Sequence, residues 1–249
     1  MEQQESKFKF PTELIDLPSK GLLYPKESPL SSGQVEMKYM TAREEDILTN
    51  QNYLQKGIVI DKLLQSMIVS KFNYNDLLIG DKNAILVAAR ILGYGKNYSF
   101  TLLGEEFTVD LTQIENKPID ESLFTPGVNS FKYTLPYSGT EITFKLLTHG
   151  DEMAIEEEIK GLKKLDKLSN PEGTTRLKYL IQAVDGETSN NLIREYVDNV
   201  LLARDARALR EHIRQIQPDV NTRINVEGGP DGGVEIPFGV TFFWPDIRL

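Results

Sequence analysis

The chain has 249 residues, of which 40% are hydrophobic and 26% charged, with a formal net charge of −9 and no cysteine. This suits one large globular domain or two small ones, and the acidic balance argues against whole-surface attraction to nucleic acid or anionic membrane. Without cysteine there are no disulfides, thiolate nucleophiles or Cys-ligated zinc or iron–sulfur sites.

The N-terminal MEQQESKFKF has no apolar core of signal-peptide length, and no run approaches the roughly 20 apolar residues of a membrane span. The expected site of action is a cytoplasm, or a particle assembled there. Residues 1–36 carry Pro11, Pro18, Pro25 and Pro29 among short apolar pieces, a spacing that forbids a regular helix. They read as an extended arm, disordered over 1–10. From residue 11 it is ordered only if something receives Leu14, Ile15, Leu22, Leu23 and Tyr24.

In VEMKYMTAREEDIL, Val35, Met37 and Tyr39 alternate as in a short strand, and Thr41 and Glu44 stand in capping-box register, so a helix starts at Ala42. The acids at 44–46 read as a solvated helix face. Ile60, Leu63, Leu64 and Met67 form the stripe of a second helix, beginning near Ile58. A third is predicted near 82–92, with Asp81 as N-cap and Gly93 as its stop. Alternation then marks strands at Tyr98–Leu102 and Phe107–Leu111, joined by LGEE. It recurs across FKYTLPYSGTEITFKLL, giving a second hairpin.

Thr148 caps a helix carrying Ile155, Ile159 and Leu162. Residues 167–173, KLSNPEG, read as a linker. Leu177, Leu180, Ile181 and Val184 suggest a short amphipathic helix, and Leu192, Ile193, Tyr196, Val197 and Val200 another. ARDARALREHIRQI follows with Leu209, Ile213 and Ile216 inward, ended by Pro218. TRINV and VEIPFGV flank GGPDGG as a third hairpin-like unit. The organisation read from this is an arm over 1–36, helices plus two hairpins over 37–166, and a helical segment with a C-terminal hairpin and aromatic tail over 174–249.

Candidate chemistry is sparse. His149 beside Asp151 and Glu152 invites an acid–base reading, but Thr148 as N-cap with acids on the helix dipole accounts for every residue. GDKNA and GYGKN lack phosphate-loop spacing, and two histidines without cysteine do not make a typical zinc site. No catalytic residue, metal or cofactor is therefore expected.

Arg204, Arg207, Arg210 and Arg214 occupy about a third of one helix circumference. They read either as an exposed face balanced by Asp205 and Glu211, or as a surface that docks onto an acidic neighbouring protein. A nucleic-acid reading would need interleaved aromatics or a wider basic surface. At the C-terminus, Val234, Ile236, Phe238, Val240 and Phe242 share one face of an extended edge strand, stopped by Pro245. On that geometry at least one of Phe242, Phe243 and Trp244 is exposed or held by another chain; the alternative is tucking against the protein's own helices.

The segments LPSKGLLYP, VEMKYMTAREEDILTN, LLIGDKNAILVAARILGYG and LLTHGDE, with ARALREHI and IPFGVTFFWPD, resemble in order the T4-type bacteriophage baseplate protein family of contractile-tail hubs. The resemblance spans residues 17 to 246. It implies a baseplate hub subunit or hub assembly protein with no enzyme activity, located in the virion tail baseplate and assembled in the host cytoplasm. Some family members carry Cys-x-x-Cys pairs in zinc-ribbon-like hairpin turns; here those turns read TLLGEEFTV and INVEGGPDGGVEI, so no zinc role carries over.

The expected fold is α+β: a mostly helical body, small antiparallel hairpins lacking cysteines, and an extended N-terminal arm. The expected partners are other baseplate or hub proteins, not nucleic acid, membrane or a small-molecule substrate. Leu22, Leu23 and Tyr24 would anchor, the four arginines orient, and Phe242, Phe243 and Trp244 form the hot spot. A transient assembly chaperone absent from the finished virion is one alternative, and a hub-associated cell-envelope hydrolase another.

Overall fold

The N-terminal segment folds back onto the body instead of extending from it. The computed structural model describes residues 11–102, 104–166, 170–224, 233–236 and 238–243. In it β1 (Thr12–Asp16) pairs antiparallel with β2 (Gln34–Lys38), with Ile15 opposite Val35. The prolines sit outside the paired strands, which is why they punctuate the segment without preventing order. Between the strands the chain coils through successive turns: the Lys20 amide donates to Leu17, Leu22 to Ser19 and Tyr24 to Gly21. Gly21 has φ +77, and a Cβ there would lie 2.5 Å from the Ser31 carbonyl oxygen, so this turn closes only around glycine. Leu17, Leu23, Tyr24 and Leu30 are thereby buried in the chain's own core.

Helices α1 (Ala42–Leu48), α2 (Gln51–Lys56) and α3 (Val59–Met67) follow. The capping box at α1 is as expected, but Glu44 is not solvated: it is buried, and its carboxylate accepts from the Thr41 amide at 2.9 Å, Ser66 Oγ at 2.7 Å and Lys38 Nζ at 2.8 Å. Helix α4 (Ile79–Tyr94) is longer than its predicted core at both ends. Leu78 occupies the cap position, and Asp81 lies in the first turn with its side chain turned to other partners. The stop is Gly95; Gly93 lies inside the helix, where an added Cβ would come 2.7 Å from Met40 Cε.

Two hairpins appear where alternation placed them: β3 (Asn97–Leu102) with β4 (Glu105–Asp110), and β5 (Phe131–Thr134) with β6 (Glu141–Phe144). After α5 (His149–Leu165) and α6 (Glu172–Leu180) comes the main departure. Ile181 and Val184 are not helical; Ile181–Val184 form β7, which pairs with β6 as the third strand of that sheet. LKYLIQAV carries helical spacing up to Leu180, and the buried edge of β6 captures the β-branched remainder. This strand joins the expected C-terminal unit to the middle one, and a single core runs from Leu17 to Phe243.

Helices α7 (Asn190–Asn199) and α8 (Ala203–Ile216) precede a short hairpin of β8 (Arg223–Ile224) and β9 (Val234–Glu235). Past Ile236 the expected extended strand is replaced by a helical turn, α9 (Val240–Phe243). Successive side chains on a helix stand 100° apart, not 180°, so Phe242 and Phe243 can both face inward. Both are buried, Phe242 packing edge-on to Tyr98 at 4.9 Å between ring centroids. Trp244 and Pro245 lie outside the described residues, as does most of the Gly-rich turn. The architecture is α+β, with small antiparallel sheets set among helices. No helix among the described residues is long and apolar enough to cross a membrane.

Candidate functional site

Helix α8 turns Leu209, Ile213 and Ile216 into the core and leaves Arg204, Arg207, Arg210 and Arg214 exposed. The row from Arg204 to Arg214 covers about 15 Å at helical rise. Asp205, expected as an exposed counter-charge, is instead fully buried: its carboxylate accepts from the amides of Tyr137 and Ser138 at 3.0 and 3.1 Å and ties the β5–β6 turn to the helix start. The guanidinium of Arg204 lies 4.7 Å from the centre of the exposed Tyr137 ring. Arg214 meets Glu211 on its own helix at 3.2 Å, an exposed pair of small energetic weight. Among the described residues no carboxylate pairs with Arg210.

The far end of this row forms one wall of an open cleft of ≈ 870 Å³. Its apolar lining comes from five separate segments: Ile79 at the start of α4, Leu147, Leu177 and Leu180 on α6, Ile213 on α8, and Phe238. Arg210 and Arg214 also line it, with a charged rim of Lys117, Glu152, Arg176, Asp219 and Glu235. The rim acids are already occupied. Glu152 is paired with Arg176, and Asp219 accepts from Asn83 Nδ2 at 2.9 Å and from the Val220 amide at 2.8 Å, with Lys117 at 3.9 Å. Glu235, at the outer edge, lies only 4.0 Å from Arg223. Beside the lining residues Ile79 and Asp219, Gly80 approaches the backbone closely: a Cβ there would fall 1.8 Å from the Pro218 carbonyl oxygen.

The THGDE segment resolves as a helix start. Thr148 Oγ1 accepts from the Asp151 amide at 3.3 Å and the Asp151 carboxylate accepts from the Thr148 amide at 3.0 Å. His149 is buried against the Tyr74 ring, with its Nδ1 3.2 Å from Lys82 Nζ; burial and the Lys82 charge both lower its pKa. Lys82 and Tyr74 also bind Asp61, so this cluster braces α3, α4 and α5 together. His212 stacks on Tyr133 at 4.3 Å, and burial lowers its pKa too. Among the described residues no group of three or more acids and histidines is placed to hold a metal ion.

Of the residues singled out from sequence, the arginines share one exposed face, while Phe242 and Phe243 meet inside the core. Leu22 is half-buried, while Leu23 and Tyr24 are inside. Tyr24 Oη donates to Asp81 at 2.6 Å and accepts from the Leu78 amide at 2.9 Å, and Ser19 gives Asp81 two further hydrogen bonds. LPSKGLLYP thus fastens the N-terminal turns to the first turn of α4, and its apolar groups pack within this chain. Phe242 and Phe243 likewise pack within the core, and Trp244 lies outside the described residues. The cleft floor escaped the sequence reading because its residues come from segments far apart in the chain, Leu177, Leu180 and Ile213 on the inner faces of helices and Ile79, Leu147 and Phe238 only half-buried. No protein-family model matches the chain, and neither do known curated proteins or solved structures.

Proposed function

We propose that the chain acts through protein–protein contacts, as a hub subunit of a contractile phage tail baseplate or as an assembly protein for that hub. The observation that carries the contact role is the α8 arginine row, which stays exposed on a chain of net charge −9 and leads directly into an open cleft with an apolar floor. Complementary charge steers and orients such contacts, and apolar side chains seated in a cleft hold them. The baseplate assignment rests on the ordered resemblance of the segments from LPSKGLLYP to IPFGVTFFWPD.

Two experiments test the two halves. Mass spectrometry of purified virions and of baseplate assembly intermediates should find peptides of this chain in the intermediates. Presence in finished particles marks a subunit, loss from them marks an assembly factor, and absence from both overturns the baseplate reading. A pull-down comparing the wild type with Arg204→Glu/Arg207→Glu, folded by circular dichroism, should lose hub proteins; unchanged capture removes α8 as the contact surface. Lysis of peptidoglycan by the purified chain would instead favour a hydrolase.

A further inference from the structure

The geometry points to a specific chemistry for what occupies the cleft: an acidic, apolar peptide segment of a partner protein, its large apolar side chains on the half-buried Ile79, Leu147 and Phe238 and its carboxylates against Arg210 and Arg214. This deepens the contact role proposed above and rests on it. Charge complementarity carries the choice of partner. Each of the three cleft carboxylates has a partner of its own: Glu152 has Arg176, Asp219 has Asn83 with Lys117 at 3.9 Å, and the exposed Glu235 has Arg223 at 4.0 Å, while the lining carries four cations, Lys117, Arg176, Arg210 and Arg214. The α8 guanidiniums are in the opposite state. Arg210 has no carboxylate partner among the described residues, and Arg214 has only the exposed Glu211. What the cleft offers an incoming chain is therefore positive charge above an apolar floor.

The cleft is lined by several separate segments, with the exposed Arg210 and Arg214 of α8 and Glu235 of β9 among its lining residues, so an incoming segment would meet side chains from more than one element. Arg is the side chain suited to forked, bidentate capture of a carboxylate. A peptide passing over Arg210 and Arg214 toward Arg204 would meet the Tyr137 ring next, an aromatic that is 58% exposed and already covered on one face by a guanidinium. Aromatic and Arg residues are the types that dominate binding energy at protein interfaces.

The test uses the full chain and three fluorescein-labelled synthetic peptides, read by anisotropy. One alternates Asp and Glu with Leu and Phe; the second replaces its acids with Lys; the third replaces its apolar residues with Ser and Gly. The first should bind saturably, and about tenfold or more tighter than either other peptide. Its binding should weaken as salt rises. Arg210→Glu/Arg214→Glu should weaken it by a similar factor at an unchanged melting temperature, since both side chains are exposed. Phe238→Ala should weaken it while leaving its salt dependence intact.

Equal binding of the acidic and Lys peptides, or indifference to the arginine reversals, overturns the proposal. So does binding that appears only in a chain truncated after Phe243, which would make residues 244–249 the occupant. None of these outcomes depends on virion composition, so failure here is distinguishable from failure of the baseplate reading.

Discussion

Arg90, on α4, donates from Nε to the carbonyl oxygen of Phe242 at 3.0 Å, across 152 positions of sequence. Its Nη1 and Nη2 reach the carbonyls of Gly95 and Asn97 at 3.2 and 3.4 Å, and the rings of Tyr94 and Tyr98 lie 5.1 and 5.7 Å from the guanidinium carbon. A buried cation is thus satisfied by carbonyl dipoles and aromatic faces. Burial lowers its pKa.

Arg90→Met keeps the stem's bulk but removes three donors to backbone carbonyls. The loss should be about 2–4 kcal/mol in urea unfolding, since a buried acceptor left without its partner costs more than the bond's net worth. The same variant should be cut faster by a low-specificity protease near Phe238–Phe243, because α9 depends on that bond. Wild-type cleavage kinetics would show that α9 is held by its aromatic contacts alone.

Two glycine substitutions should separate in sign. At Gly80 an added methyl meets the Pro218 backbone, which cannot swing aside, so Gly80→Ala should cost at least about 3 kcal/mol or prevent folding. At Gly161, exposed on α5, nothing lies within 4 Å of the added Cβ. Gly161→Ala should therefore stabilise by about 0.5–1 kcal/mol, the helix-propensity difference. Thermal melts of the two variants beside wild type suffice.

Glu44 supplies a pH dependence. Burial pushes its pKa up, but hydrogen bonds from Lys38, Thr41 and Ser66 outweigh this and hold it at about 2. A carboxyl whose folded pKa is depressed contributes stability that is complete above its unfolded pKa, near 4.3 in order of magnitude, and lost as pH falls through the folded value. Glu44→Gln should cost about 1.5–3 kcal/mol at neutral pH, the range for hydrogen bonds to a charged group. The gap to wild type should close as pH drops from about 4.5 toward 2. A gap independent of pH would show that Glu44 acts through shape alone.

Tyr24→Phe should detach the N-terminal turns from α4. It leaves the Leu78 amide without its acceptor and takes one of three donors from Asp81, whose pKa burial already raises. The expected loss is about 1–3 kcal/mol. Amide exchange should rise first at Leu17–Tyr24; uniform acceleration across the chain would instead place Tyr24 in the global unfolding unit.

Local chemistry was legible wherever short-range rules decide the outcome. The capping pair Thr41–Glu44, the N-cap Thr148, the alternating strands around Phe100 and Phe107, and the inward stripe Leu209–Ile213–Ile216 all follow from spacing alone. So does the exposed arginine row, because a helix that buries one face leaves the other in water. The α+β class follows from the sum of these elements.

Tertiary structure decided the rest, through partners far away in sequence. Ile181 became a strand because β6 offered an unpaired edge, and Phe242 and Phe243 turned inward because Arg90 and Tyr98 received a helical turn there. Tyr24 left the surface because Asp81 and Leu78 supplied it a buried acceptor and donor. Composition and periodicity describe what a segment can bury; which surface receives it is a non-local choice, set by hydrogen-bond satisfaction and packing among elements that meet only once the chain is folded.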